Sequence, residues 1–281
     1  MLLRKLGLLV AIAITSPLLH AEAKPSQIEN QLHNLRSVPV EKKPAAILQL
    51  ASDIRSLPAN QQKVGYADAL VHLSTEGDMG MQALQAVADT LTAALTETPI
   101  QAKNDKVPMP YYDLAKLAHY EHVATKMTDP LYLKATQMLV DNDAALDKVD
   151  FVLKDIKGKK VTLSELRGKI VMVNFWATWC MPCRAEMGDL DALSRYFALQ
   201  GLVVLSITDE DLFKVGSFLS TAKYNPTVLL DPDDQVHKQF HITGIPNTYL
   251  FGRDGKLLAV AIDQRTRRQF LEMLSKTDLH P

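Results

Sequence analysis

The sequence predicts two units, an all-α half followed by an α/β half built on a mixed sheet. Three observations carry this. Between Ser26 and Lys148 the apolar residues recur at helical spacing. After about residue 150, β-rich apolar runs alternate with amphipathic stretches, the pattern of a sheet flanked by helices. Lys157-Gly158 then separates two short β-rich segments and signals a hairpin. The expected division is a leader over 1–23, a helical domain over 24–148 and the α/β domain over 149–281.

The leader comes first. Arg4 and Lys5 form a charged start, Leu6 to Ile14 is almost wholly apolar, Ser16-Pro17 breaks the run, and Ala21-Glu22-Ala23 supplies small residues around a cleavage point. That order predicts a cleaved secretory signal and a periplasmic or other extracytoplasmic location. The run is short of the ~20 apolar residues a membrane-spanning helix needs. Two cysteines, Cys180 and Cys183, are the chain's whole complement, so no cysteine beside the leader could carry a lipid.

In the helical half, Pro44 and Pro58 read as first-turn prolines that open helices. Ala45 to Leu57 places Ile47, Leu50, Ala51 and Ile54 on one face, and Met81 to Leu95 does the same with Leu84, Val87, Ala88, Leu91 and Leu95. Pro99 closes that helix, and Gln101 to Pro110 reads as a loop. Tyr111 to Met127 and Leu131 to Leu146 form a further helical pair around Asp129-Pro130. Five or six helices in antiparallel hairpins are expected, without a visible sequence repeat.

In the second half, Phe151 to Leu153 and Lys160 to Leu163 are the hairpin strands, and Ile170 to Trp176 is a buried strand. Pro182 to Leu199 is an amphipathic helix, Leu202 to Ile207 a second buried strand, and Asp211 to Ala222 a second helix. Thr248 to Phe251 and Lys256 to Ile262 are strands joined by Arg253-Asp254-Gly255, and Arg267 to Leu274 closes the chain as a helix.

Composition narrows the function. The 281 residues are 47% hydrophobic and 22% charged with a formal net charge of -1, so a core is affordable. Neither a basic nucleic-acid surface nor an acidic tail is indicated. The cysteines sit in one four-residue segment, where a bridge removes roughly 2 kcal/mol of chain entropy by the loop formula. Reactivity is the better reason for the pair. A buried strand runs into Cys180 and a helix starts after it, so Cys180 faces unpaired N–H groups and the positive end of the helix dipole. A thiolate is stabilised there. Pro182 suits the first turn. Cys183 lies one turn further in and is shielded, so Cys180 attacks a substrate disulfide and Cys183 resolves the mixed disulfide.

The spacing C-x-x-C also occurs in zinc sites, which need a second ligand pair that no other cysteine supplies. A copper carrier would want a wider spacing and a nearby histidine. No metal and no other cofactor is expected. His119 and His122, three apart on a helix, have metal-binding spacing but read as solvated. His237 and His241 read as packing or helix-end residues, and Phe213, Phe218 and Tyr224 as core or domain-contact residues.

Val161-Thr162-Leu163-Ser164-Glu165-Leu166-Arg167-Gly168-Lys169, then Val173-Asn174-Phe175-Trp176-Ala177-Thr178-Trp179-Cys180-Met181-Pro182-Cys183-Arg184, resembles the TlpA/ResA branch of the thioredoxin superfamily. Gly244 to Phe251 resembles that family's loop-to-strand segment. The resemblance covers about residues 150–277 and leaves the helical half untouched. It implies a thioredoxin-like fold and a redox pair Cys180–Cys183. It implies a cis-proline at Pro246 that faces the disulfide, with the Ile245 backbone and Trp179 available to substrate. Glu186 matches an acid this branch places beside the site. Asn174 stands where thioredoxin has a buried aspartate, so Glu186 is the better proton-transfer group. Otherwise Glu186 is a first-turn acid favouring the helix dipole. Asn247 departs from the family's small or hydroxyl residue.

The function expected is disulfide reduction on exported protein thiols, fed by a membrane-bound electron donor, with no nucleic acid as partner. Residues 26–148 would recruit a partner or self-associate, without chemistry of their own. Competing readings are an oxidase or isomerase of the same fold, a peroxidase, and a helical binding protein with a vestigial pair. The peroxidase would want a threonine where Ala177 stands. Met181-Pro182 lacks the histidine of the strongest oxidants, which favours the reductase.

Overall fold

The structure, a computed structural model, describes residues 24–222 and 224–280. The expected signal over 1–23 lies outside the described residues. Helices α1 (Pro25–Asn34) and α2 (Lys43–Ser56) each carry a proline in the first turn, where a missing N–H is harmless. Helix α3 (Gln61–Ser74) starts three residues later than Pro58 suggests. Asn60, not the proline, caps it, accepting the Lys63 N–H at 2.9 Å. Helix α4 (Met81–Glu97) follows Gly80, whose φ of 75° suits glycine. Helix α5 (Met109–Glu121) opens with Pro110 and ends well before Met127, because His122 takes the left-handed conformation that breaks a helix. Helix α6 (Pro130–Leu146) is capped by Asp129, which accepts the Leu131 N–H at 2.8 Å. The apolar faces of these six helices, Ile47, Leu50, Ile54, Leu70, Leu91 and Leu114 among them, meet in a core that, among the described residues, contains none from the sheet.

Strands follow: β1 (Val152–Asp155), β2 (Lys160–Thr162), β3 (Ile170–Phe175), β4 (Leu202–Thr208), β5 (Thr227–Leu230), β6 (Asn247–Phe251) and β7 (Leu257–Ile262). Among the described residues they form one seven-stranded sheet in the order β2-β1-β5-β4-β3-β6-β7. β4 runs parallel to β3 and β5, and the remaining pairs are antiparallel. Helices α7 (Met181–Phe197), α8 (Leu212–Thr221), α9 (Gln235–Gln239) and α10 (Arg267–Leu274) complete this half. β5 and α9 have no clear sequence signal, each being only a turn or a few residues long and bounded by Pro226 and Pro232 or by the loop after them.

The central strand β3 is buried throughout, and its alternation divides it between two cores. Ile170 and Met172 join Met187, Leu190 and Phe197 of α7. Val171, Val173 and Phe175 face Phe240, Tyr249 and Phe251. By the same period Asn174 points to the α7 side, which brings an amide beside Glu186. The edge strand β7 packs against α5 and α6, and its Leu257 N–H donates to Asp147 at 2.9 Å.

Candidate active site

Strand β3 delivers the chain to a tight turn over Ala177 to Trp179, and α7 begins at Met181. Glu210, on the loop after β4, holds that turn by accepting the Thr178 N–H at 2.5 Å and the Thr178 hydroxyl at 2.9 Å. Cys180 is the N-cap of α7: the Cys183 N–H donates to its Sγ at 3.2 Å. Pro182 occupies the first turn, as its lack of an N–H allows. Cys180 and Cys183 are joined in a disulfide, with Cα atoms 5.3 Å apart. Cys180 is 4% exposed and Cys183 fully buried, so only the first sulfur has a path to a partner. Around that path the surface is apolar: Trp179 is 71% and Met181 77% exposed.

The Ile245–Pro246 peptide bond is cis, and the Ile245 carbonyl lies 3.8 Å from Cys180 Sγ. The structure thus brings Trp179, Cys180, Cys183, Ile245 and Pro246 to one place. Asn247 follows on β6, its side-chain Nδ2 donating to the Gly244 carbonyl at 3.5 Å.

Glu186 sits one turn beyond Cys183 on α7, past the helix's first turn, and is buried to 1% exposure, so it is not a first-turn acid serving the helix dipole. Its Oε1 accepts from Asn174 Nδ2 at 2.9 Å and its Oε2 from the Arg265 backbone N–H at 2.8 Å. Asn174 Nδ2 also donates to Thr248 Oγ1 at 3.0 Å. Removal from water dominates and pushes the Glu186 carboxyl up to about 8. The Arg265 N–H, the Asn174 amide and the Arg265 charge oppose that, and Asp263 adds to it. The result is a carboxyl that can gain or lose a proton near neutral pH, one helical turn from Cys183.

The other singled-out residues fall elsewhere. His237 is buried, with Nδ1 2.8 Å from Asp231 and its ring edge-on to Phe175. His119 pairs with Asp143 at 2.7 Å. Phe218 packs on Trp176, and Tyr224 on Phe218. Phe213 is neither core nor contact: it is 85% exposed at the start of α8, because it lies on the face opposite the buried Val215. The helical half also holds a group of possible metal ligands that their spacing in the sequence conceals, Asp68, His72 and Asp113. The Lys116 ammonium, 3.0 Å from Asp113, already supplies a cation there. Arg265, Glu210 and Thr248 were also missed. Thr248 lies within the Gly244 to Phe251 segment, and Arg265 precedes the Thr266–Gln269 capping box of α10, but neither signal pointed to Glu186.

A model of the AhpC/TSA family matches residues 145–260. The thiol-disulfide oxidoreductase ResA of Bacillus subtilis is 35% identical over 121 residues, 43% of this chain and 68% of that protein. ResA of Bacillus anthracis is 30% identical over 128 residues, 45% of this chain and 74% of that protein. Among solved structures, a thiol:disulfide interchange protein DsbE from Chlorobium tepidum is 26% identical with a TM-score of 0.43, covering 45% of this chain and 92% of that one. The chain therefore belongs to the ResA-type thiol–disulfide oxidoreductases, a thioredoxin-like α/β fold here preceded by an all-α half.

Proposed function

We propose that the protein is an exported disulfide reductase acting on protein disulfides. The observation that carries this is the Cys180–Cys183 pair at the start of α7, with one sulfur reachable and the other buried. In the reduced protein the Cys180 thiolate attacks a substrate sulfur. One substrate thiolate leaves and takes a proton, and Cys180 is left in a mixed disulfide. The Cys183 thiolate then attacks Cys180 Sγ, releasing the second substrate thiol and closing the Cys180–Cys183 bond. Two electrons pass to the substrate, and a membrane-bound dithiol donor returns them. Glu186 is the group that takes the proton from Cys183 and gives it back, one helical turn away.

Trp179 and the Ile245-Pro246 backbone are the substrate contacts, an apolar surface beside an extended main chain. Residues 1–23 are a cleaved signal, which places the protein in the periplasm or an equivalent space. Among the described residues no helix is long and apolar enough to cross a membrane. Residues 24–148 and 149–281 are two domains, the first of which selects the protein partner or a second copy. Ala177 stands where a peroxidase of this fold would want its threonine, and Met181-Pro182 lacks the histidine of a strong oxidant.

Equilibration of the pair against glutathione tests the direction. The expected potential is far below the about -120 mV of a strong oxidant. A value near that of the oxidant would replace the reductase by an oxidase.

A further inference from the structure

Glu186 is bound by a backbone N–H that belongs to Arg265, and the Arg265 side chain reaches into the helical half. There it pairs with Glu121, the last residue of α5. Both side chains are nearly buried, Arg265 at 7% and Glu121 at 10% exposure. The loop on either side is anchored to the same half. Asp263, in the left-handed conformation at φ 60°, accepts from the Thr75 hydroxyl. The Gly77 N–H donates to the Gln264 carbonyl at 2.8 Å. The position of the N–H that Glu186 accepts is thus fixed by residues of α5 and of the turn after α3.

We propose that Glu121 is a positioning residue of the redox site: by holding Arg265 it fixes the N–H bound to Glu186 and balances the cation beside that carboxyl. The proposal rests on reading Cys180, Cys183 and Glu186 as the working groups. It gives the helical half a part in the chemistry that partner choice alone would not require. The groups that face Glu186 are Asn174 from β3 and Arg265 and Asp263 from the loop before α10, and Cys183 lies one turn back on α7. Glu121 faces it only through Arg265, and Asp263 in turn faces Thr75, His72, Glu76 and Lys116. Charge balance gives opposite signs for the two partners of the ion pair. Without Glu121 the Arg265 cation acts on Glu186 alone and favours its carboxylate. Without Arg265 the Glu121 carboxylate is left nearby and disfavours it.

The test is carboxyl carbon NMR of the full chain in the oxidised form, with glutamate labelled, so that the cysteines do not titrate. Glu121→Gln is expected to move the Glu186 midpoint down by on the order of 1 pH unit. Arg265→Gln is expected to move it up. Glu121→Asp should restore the wild-type midpoint. Asp78→Ala, which breaks the separate Arg268–Asp78 pair between the halves, should leave the midpoint unmoved. Coincident curves for Glu121→Gln and wild type would overturn the proposal, as would shifts in the same direction for Glu121→Gln and Arg265→Gln, the mark of a loosened site. If Glu121→Gln does not fold, absence of the upward shift in Arg265→Gln overturns it. Alkylation of Cys180 in the reduced chain separates the two layers. A profile that Glu186→Gln changes and Glu121→Gln does not removes Glu121 from the site. A profile indifferent to Glu186→Gln sinks the reading of Glu186, and the proposal with it.

Discussion

Two cysteines three residues apart experience different surroundings, and that difference sets their chemistry. Cys180 caps the helix and keeps a narrow opening beside Trp179, whereas Cys183 is enclosed by the core on α7. Cys180→Ser is expected to abolish disulfide reduction, while Cys183→Ser should accumulate a mixed disulfide visible by non-reducing electrophoresis. Normal turnover by the Cys183 variant would remove its resolving role. Glu186 gives a second prediction at this scale. Its carboxyl is held near 8 by burial, well above its usual 4.5, so the folded protein binds a proton that the unfolded chain has released between those values. The stability associated with the neutral form is complete below about pH 4.5 and is lost as pH rises through about 8. Asp68, raised to about 6 by burial and by Asp113, and Asp263, raised by burial, act in the same direction. Urea unfolding should therefore show stability falling between pH 5 and 8, and Glu186→Gln should remove roughly 2–4 kcal/mol of that fall. An unchanged slope in the variant would mean that Glu186 is ionised in the fold. The cysteines and Asn174 were legible because their meaning is local, a strand, a spacing and a helix start. The partners of Glu186 were not, since Arg265 comes 79 residues later and only the fold brings its N–H to the carboxylate.

At the scale of elements, the loop that serves Glu186 ends in a helix start of its own. Thr266 caps α10 by accepting the Gln269 N–H, and the Gln269 side chain accepts the Thr266 N–H in return at 3.0 Å. Gln269 also reaches the Gly77 carbonyl at 3.4 Å, so this cap joins the loop, α10 and the helical half. Thr266→Ala is expected to destabilise the protein by about 1 kcal/mol. Thermal unfolding would measure it, and a midpoint equal to wild type would show the loop to be held from the Thr75 and Glu121 side alone. Elements with a full apolar face, such as α2, α4, α7 and β3, could be read from periodicity because their burial repeats over several turns or residues. Boundaries set by one residue could not. Pro58 looked like a helix opener, but the Asn60 carbonyl oxygen of the side chain was the competing signal and won. The end of α5 depends on His122 adopting a positive φ, which its residue type tolerates without announcing. Phe213 was misplaced because a helix's apolar residues need not all face inward when the helix covers a sheet with one side only.

For the whole molecule, the arrangement of the two halves answers a problem that the sheet would otherwise have. β7 is an edge strand, and its sequence Leu257-Leu258-Ala259-Val260-Ala261-Ile262 carries no charge and no proline. An edge of that composition invites pairing with another chain. In the full protein α5 and α6 lie against it, and Tyr112, Tyr120, Leu139 and Leu146 line the same small cavity as Val260 and Ile262. Asp147 takes up the Leu257 N–H. The helical half, with its own core and its polar links to the loop at Glu186, therefore also shields β7. A chain of residues 149–281 alone would retain the helix start, both cysteines and the cis-proline loop, so it should still reduce a small disulfide. It would lack Glu121 and Thr75, which leaves the Arg265 loop unanchored, and it would expose β7. Self-association is the expected outcome, rising with concentration in sedimentation velocity runs while far-ultraviolet circular dichroism reports a folded chain. Leu258→Lys, placed on the part of the strand that is already partly exposed, should suppress the association by setting a charge on the edge. A folded chain of 149–281 that stayed monomeric at every concentration would show that β7 needs no cover, and the packing of α5 and α6 against it would then serve only to place Glu121 and the turn after α3 at the Arg265 loop.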